Sequence, residues 1–281
     1  MTVSEADPPR GLESRNTPGA AVAWGGAKAA RRADSRSEPV LLLAHGSSDP
    51  RAAATTRALA RAVAAASPGT TVRASFLDHA GPRPVEELVA LQRAGSPAVT
   101  LVPLLLTSAY HGRVDVPAVV TTARAEGVHI PIEVTRVLGP VGGQVPDLLL
   151  AGLDRRLAET RTRFDAVVLA AAGTRDPAAL GTVDLAARAL GHRLGVPCVP
   201  AYASASPPMP GAAVTRLRRG GARRVAMAAY FLAPGRLYDA AVESAYAAGA
   251  VAATQPLGAG RELVGLVLDR ADAAGSVLAA A

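Results

Sequence analysis

The chain says nearly the same thing twice. Leu42 to Pro50 (LLAHGSSDP) reads against Val168 to Pro177 (VLAAAGTRDP) once one inserted alanine is allowed. Pro84 to Gly95 reads against Pro210 to Gly221, and Val99 to Leu106 against Val225 to Leu232. The offset is 127 residues at His45 and 126 in the later segments. A repeat of this length, carried by residues as well as by element order, implies two fused copies of one domain. The expected division is a disordered tail over residues 1–38, an N-terminal domain over 39–143 and a degenerate C-terminal copy over 144–281. A chain of 281 residues with 49% hydrophobic content can fill two cores of that size.

Within each copy, short apolar runs alternate with longer alanine-rich stretches. Strands are expected near 40–45, 71–77, 98–106 and 130–137, and again near 165–171, 196–203, 223–232 and 250–255. Helices are expected over 50–66, 84–94, 114–126, 145–160, 178–194, 210–220, 239–248 and 260–279. Runs such as Val40-Leu41-Leu42-Leu43-Ala44 are apolar at every position. A strand of that kind must be covered on both faces, which implies a doubly wound parallel α/β sheet in each copy. No apolar run approaches the roughly 20 residues of a membrane-spanning helix. The single cysteine, Cys198, allows no intramolecular disulfide and suits a reducing cytoplasm; it is expected to be a small core residue.

The net charge is +7, and Lys28 is the only lysine, so nearly all cations are guanidinium groups suited to carboxylates and phosphates. Nucleic acid is disfavoured as the partner. Aromatic residues make up only 3% of the chain, and the arginines are scattered rather than interleaved with stacking residues.

Two strand exits carry the chemistry. Ala44-His45-Gly46-Ser47 ends the first strand, and Asp49-Pro50 then starts a helix, with Asp as N-cap and Pro in the first turn. Pro103 to Gly112 ends the third strand and contains His111, with Asp115 and Pro117 suited to a second helix start. In doubly wound sheets the first and third strands lie side by side at the switch point, where ligands bind. Neighbouring strands are about 4.8 Å apart, so His45 and His111 can meet around one ion. Asp78, at the exit of the second strand, adds a carboxylate on the same edge. Two imidazoles and a carboxylate suit Fe²⁺, Co²⁺, Ni²⁺ or Zn²⁺ with open coordination positions. In the second copy His45 is matched by Ala172, Asp78 by about Ser204, and no histidine falls opposite His111. That copy is expected to form the opposite wall of a cleft, holding a ligand through Arg236 or Tyr238. His79, His129 and His192 are expected at the surface without partners.

The motifs HGSxD at the first exit, FLD at the second and VPLLLTSAYHGRVDVP at residues 102–117 resemble the CbiX/SirB class of sirohydrochlorin chelatases over about residues 40–137. The resemblance implies a chelatase-like fold in each copy. It also implies an enzyme that inserts a divalent metal, Fe²⁺ or Co²⁺, as substrate into an acidic tetrapyrrole, with no organic cofactor and no membrane partner. The family's metal-binding and catalytic histidines map onto His45 and His111. Members often carry glutamate where Asp78 stands, so the carboxylate here has a shorter reach. Arg51, Arg113 and Arg236, with Ser47 and Tyr110 beside the histidines, are the expected contacts to the substrate. A monomer with two pseudo-dimeric domains follows. The same residues would serve a non-catalytic metal or tetrapyrrole carrier. A histidine phosphatase is disfavoured, because Ala44 stands where such a site needs arginine.

Overall fold

The computed structural model describes residues 38–107 and 115–278, together with Met1. The expected tail, and His111 with Tyr110 and Arg113, lie outside the described residues. Element order follows the repeat. The first half runs β1 (Val40–Ala44), α1 (Pro50–Ala66), β2 (Val72–Phe76), α2 (Pro84–Arg93), β3 (Val99–Pro103), α3 (Val116–Ala125), β4 (Ile132–Val134) and α4 (Asp147–Glu159). The second runs β5 (Ala166–Ala171), α5 (Pro177–Leu194), β6 (Cys198–Tyr202), α6 (Pro210–Arg219), β7 (Val225–Ala229), α7 (Arg236–Ala247), β8 (Ala252–Ala253) and α8 (Arg261–Leu278).

Both sheets are parallel, in the orders β2-β1-β3-β4 and β6-β5-β7-β8. β1 and β3 are therefore neighbours, as the switch-point argument requires. Their register also corrects the alignment of the copies. Val40 pairs with Val72 and Thr100, while Val167 pairs with Cys198 and Ala226. The offset is thus 127 throughout β1 and its exit loop, and 126 from β2 onward. The extra residue lies in the first half, between the start of α1 and β2: α5 is one residue longer than α1, 18 against 17, but the connection that follows it, 195–197, is two residues shorter than 67–71. A helix end and the turn that follows it absorb such a difference. A strand cannot, because a one-residue slip would turn its buried face outward.

The continuous apolar character of the strands is explained by what covers each face. Val40 and Leu42 point into one core with Val167 and Leu169 of the other sheet, whereas Leu41 and Leu43 pack outward against α2 and α3. On the second sheet Val168 and Ala170 pack outward beneath α6 and α7. The result is five layers, helix–sheet–helix–sheet–helix, whose central layer of α1, α4, α5 and α8 is shared by the two halves.

That shared layer contains an exchange. α4 follows β4 in the chain but packs on α5 and β7 of the second half. α8 follows β8 but packs on α1 and β3 of the first, and α4 and α8 also pack on each other. Arg155 of α4 donates from Nε to Glu262 of α8 at 2.8 Å, across this contact. Burial alone would raise the Glu262 carboxyl. Hydrogen bonds from Arg261 and Arg155 outweigh that and hold it below the usual range.

Among the described residues no helix is long and apolar enough to cross a membrane. Cys198 is part-buried in β6, and burial pushes its thiol up to about 12, as suits a core residue rather than a nucleophile.

Candidate active site

The β1 exit is a tightly built loop. Asp49 accepts from the Arg51 amide at 2.9 Å, and the Asp49 amide donates to Ser47 Oγ at 3.1 Å. The second half repeats both contacts, Ala178 to Asp176 at 2.9 Å and Asp176 to Thr174 at 3.1 Å. Gly46 has φ of 97° and Gly173 has 98°. A Cβ on Gly46 would fall 1.8 Å from the Asp78 carbonyl oxygen, and one on Gly173 would fall 1.9 Å from that of Ser204. Glycine is demanded at both places by conformation and by space. The backbone scaffold is therefore the same in both halves, while the side chain before the glycine is His45 in one and Ala172 in the other.

The three exits of the first sheet lie side by side. Ala44 pairs with Phe76, and Leu43 pairs with Pro103. The Asp78 amide donates to the His45 carbonyl at 2.8 Å, and the Leu104 amide to the Leu43 carbonyl at 2.8 Å. Beyond Leu104 the chain is pinned by the second half, because Tyr230 donates its hydroxyl to the Leu106 carbonyl at 3.1 Å. Tyr230 is buried, and burial drives its phenol well above the usual range, so it acts as a fixed donor. The segment between β3 and α3 spans twelve residues, and its counterpart between β7 and α7 spans six. The second half is thus shorter where the first carries His111.

A cleft of about 290 Å³ opens between the halves at these exits. His45, Ser47 and His79 line one side, and Ala172, Phe231, Arg236 and Tyr238 line the other. The walls come close at Ser47, whose Oγ would stand 3.8 Å from a Cβ on Gly235. Residues within 231–238 of the second half form that opposite side of the cleft.

The expected site residues fall in different places. His45 and Ser47 are on the cleft. Asp78 is at the same strand edge and close enough to His45 to feel its charge, yet it is more than half exposed and does not line the cleft. Its carboxylate accepts the His79 amide at 2.8 Å, faces His79 Nε2 at 3.4 Å and lies 3.8 Å from Arg83. That amide, followed by the charges of His79, Arg83 and His45, holds it below the usual carboxylate range despite some desolvation. Arg51 is occupied: it reaches Asp49 and, across the cleft rim, Asp239 of α7, each at 2.5 Å. Arg236, exposed in the first turn of α7, has no ion-pair partner among the described residues. Tyr238 is buried, with its hydroxyl donated to the Thr254 carbonyl at 3.0 Å and its ring edge-on to Phe231 at 5.8 Å. What it offers the cleft is aromatic surface.

His79 is at the surface as expected, but it is not without a partner. It adopts φ of 60°, stands next to Asp78 and lines the cleft. Sequence offered one signal, its place directly after Asp78 at the second strand exit. Among the described residues no three His, Cys, Asp or Glu side chains already converge as a metal-holding group.

The family model for CbiX matches residues 39–158 and again 166–274. The chain belongs to the CbiX family. The double match coincides with the two halves of the fold. Among solved structures, the chain is similar to SirB from Bacillus subtilis with Fe³⁺ (TM-score 0.71, 21% identity, covering 84% of this chain and 94% of that one). It is also similar to SirB from Bacillus subtilis subspecies spizizenii in complex with cobalt (TM-score 0.69, 20% identity, 85% and 95% covered). A third similar structure is CbiX, described as the terminal enzyme for biosynthesis of siroheme in denitrifying bacteria (TM-score 0.59, 22% identity, 84% and 99% covered). At these identities the likeness establishes the fold, which is the chelatase-like pair of parallel α/β domains. Comparison with curated protein sequences finds no match.

Proposed function

We propose that this protein is a sirohydrochlorin chelatase that inserts a divalent metal into the tetrapyrrole, with Fe²⁺, giving sirohaem, as the first metal to test and Co²⁺ as the second. The observation that carries the reading is the asymmetry of the cleft. One scaffold is built twice, but only the half with His45 bears ligand side chains at the strand exits, facing a wall that supplies aromatic surface and Arg236. The SirB structures that share this fold are described with Fe³⁺ and with cobalt, which supports a metal as the ligand.

In this reading His45 and His111 hold the incoming metal, with the Asp78 carboxylate adding negative charge beside them. Imidazole and carboxylate donors suit Fe²⁺ and Co²⁺ and leave coordination positions for the pyrrole nitrogens. Insertion replaces two pyrrole N–H protons by one M²⁺. A neutral imidazole near its ordinary pKa of about 6.5 can accept such a proton, and His111 is the residue we assign to this. Arg236 and Arg113 bind peripheral carboxylates, with Ser47 and Tyr110 beside them. Arg51 would join only by giving up Asp239. Both walls come from one chain, so a monomer suffices.

The test is a spectrophotometric insertion assay with sirohydrochlorin and Fe²⁺ or Co²⁺. His45→Ala and His111→Ala should each lose most of the rate. Wild-type rates in both variants would rule out the site, and tight tetrapyrrole binding without acceleration would indicate a carrier.

A further inference from the structure

We propose that His79 is the third metal donor of the cleft and that Asp78 acts through His79 rather than on the metal. The inference rests on the reading that this cleft receives a divalent metal, and it assigns the donors within it.

Three observations lead there. First, His79 lines the cleft together with His45, and Asp78 does not. The Asp78 amide is bonded to the His45 carbonyl at 2.8 Å, so His79 is the next residue along from a backbone contact with His45. Second, the Asp78 carboxylate is already turned to its neighbours. It takes the His79 amide at 2.8 Å, stands 3.4 Å from His79 Nε2 and 3.8 Å from Arg83 Nη2. With Nε2 facing that carboxylate, Nδ1 of His79 remains for a metal. A carboxylate that orients a ligating imidazole through its other ring nitrogen is a recurring arrangement at metal sites, and it raises the basicity of the ligand. A third imidazole also suits Fe²⁺ and Co²⁺.

Third, the duplication supplies an internal comparison. Ala205 occupies the place of His79 with nearly the same backbone, φ of 65° against 60°. The Ser204 amide bonds the Ala172 carbonyl at 3.0 Å, as that of Asp78 bonds His45. The left-handed turn thus belongs to the scaffold, and its glycine, cap and proline are retained in both halves. His45, Asp78 and His79 have become Ala172, Ser204 and Ala205. His79 is lost together with the other two, as expected if the three serve one purpose.

The test titrates the full-length protein with Co²⁺ alone and reads the visible absorption of the bound ion. Wild type is compared with His79→Ala, Asp78→Asn, the double variant and His45→Ala. Because alanine already occupies the equivalent turn, His79→Ala should fold, and circular dichroism checks this. We expect His79→Ala to weaken Co²⁺ binding at least tenfold, Asp78→Asn to weaken it less, and the double variant to be no weaker than His79→Ala alone. Wild-type affinity in His79→Ala would overturn the assignment, and additive losses would show that Asp78 acts on the metal directly. The insertion assay separates this from the enzymatic reading. Protein that binds Co²⁺ through His79 but inserts none would defeat the reading and leave the donor set. Insertion that survives in His79→Ala but not in His45→Ala would do the reverse. Wild-type protein that takes up no Co²⁺ would defeat both.

Discussion

Gly46 and Asp78 meet so closely that a single methyl group could not be placed between them: a Cβ on Gly46 would sit 1.8 Å from the Asp78 carbonyl oxygen, at a φ of 97°. This contact holds the first and second strand exits together directly beneath His45. Gly46→Ala should therefore destabilise the fold by about 3 kcal/mol or more, since overlap and backbone strain add. Gly173→Ala should cost a similar amount, but the fraction that stays folded should bind Co²⁺ normally. Denaturant unfolding combined with Co²⁺ titration separates the two.

Tyr230→Phe tests the tie between the halves. It removes the donor to the Leu106 carbonyl and should cost about 1 kcal/mol of stability. It should also slow metal insertion, because Leu106 leads into the segment that carries His111. An unchanged insertion rate alongside reduced stability would make Tyr230 purely structural.

Arg236 and Arg51 should behave differently although both are exposed arginines of the rim. Arg236→Ala should raise the KM for the tetrapyrrole about tenfold or more, the loss of one charge-assisted contact, with no change in melting temperature. Asp239→Asn breaks an exposed ion pair and should alter stability by less than about 1 kcal/mol. If Arg51 also reaches substrate carboxylates, freeing it in this way should lower KM, and steady-state kinetics on the two variants decides.

The exchanged helices predict an acid limb to the stability curve. Glu262 is held below its ordinary pKa of 4.5 in the folded protein. Its contribution is therefore complete above that value and is lost as pH falls through the folded value. Glu262→Gln should cost about 2 kcal/mol at neutral pH, less than a fully buried pair because the Arg155 partner is a quarter exposed. It should also flatten the fall in unfolding free energy between about pH 5 and pH 3, measured by denaturant titration at a series of pH values.

Much of this was legible in the residues. The duplication, the order of strands and helices, the Asp-Pro helix starts and the placing of His45 beside a glycine all follow from short-range rules. Strand periodicity, capping and positive φ depend on neighbours within a few positions, so local sequence carries them. What the tertiary structure alone decided involves residues far apart in the chain. α4 and α8 trade sheets because their apolar faces complete a central layer that neither half could close by itself, and Arg155 meets Glu262 only there. Arg51 is claimed by Asp239 from 188 residues away. His79 reads as a surface histidine without partners, and it is the left-handed turn that sets it beside Asp78 and on the cleft. The sequence determined which side chains stand at the strand ends. Which of them share a cleft was decided by packing between the halves, since side-chain neighbours across 100 or more residues depend on how whole layers stack.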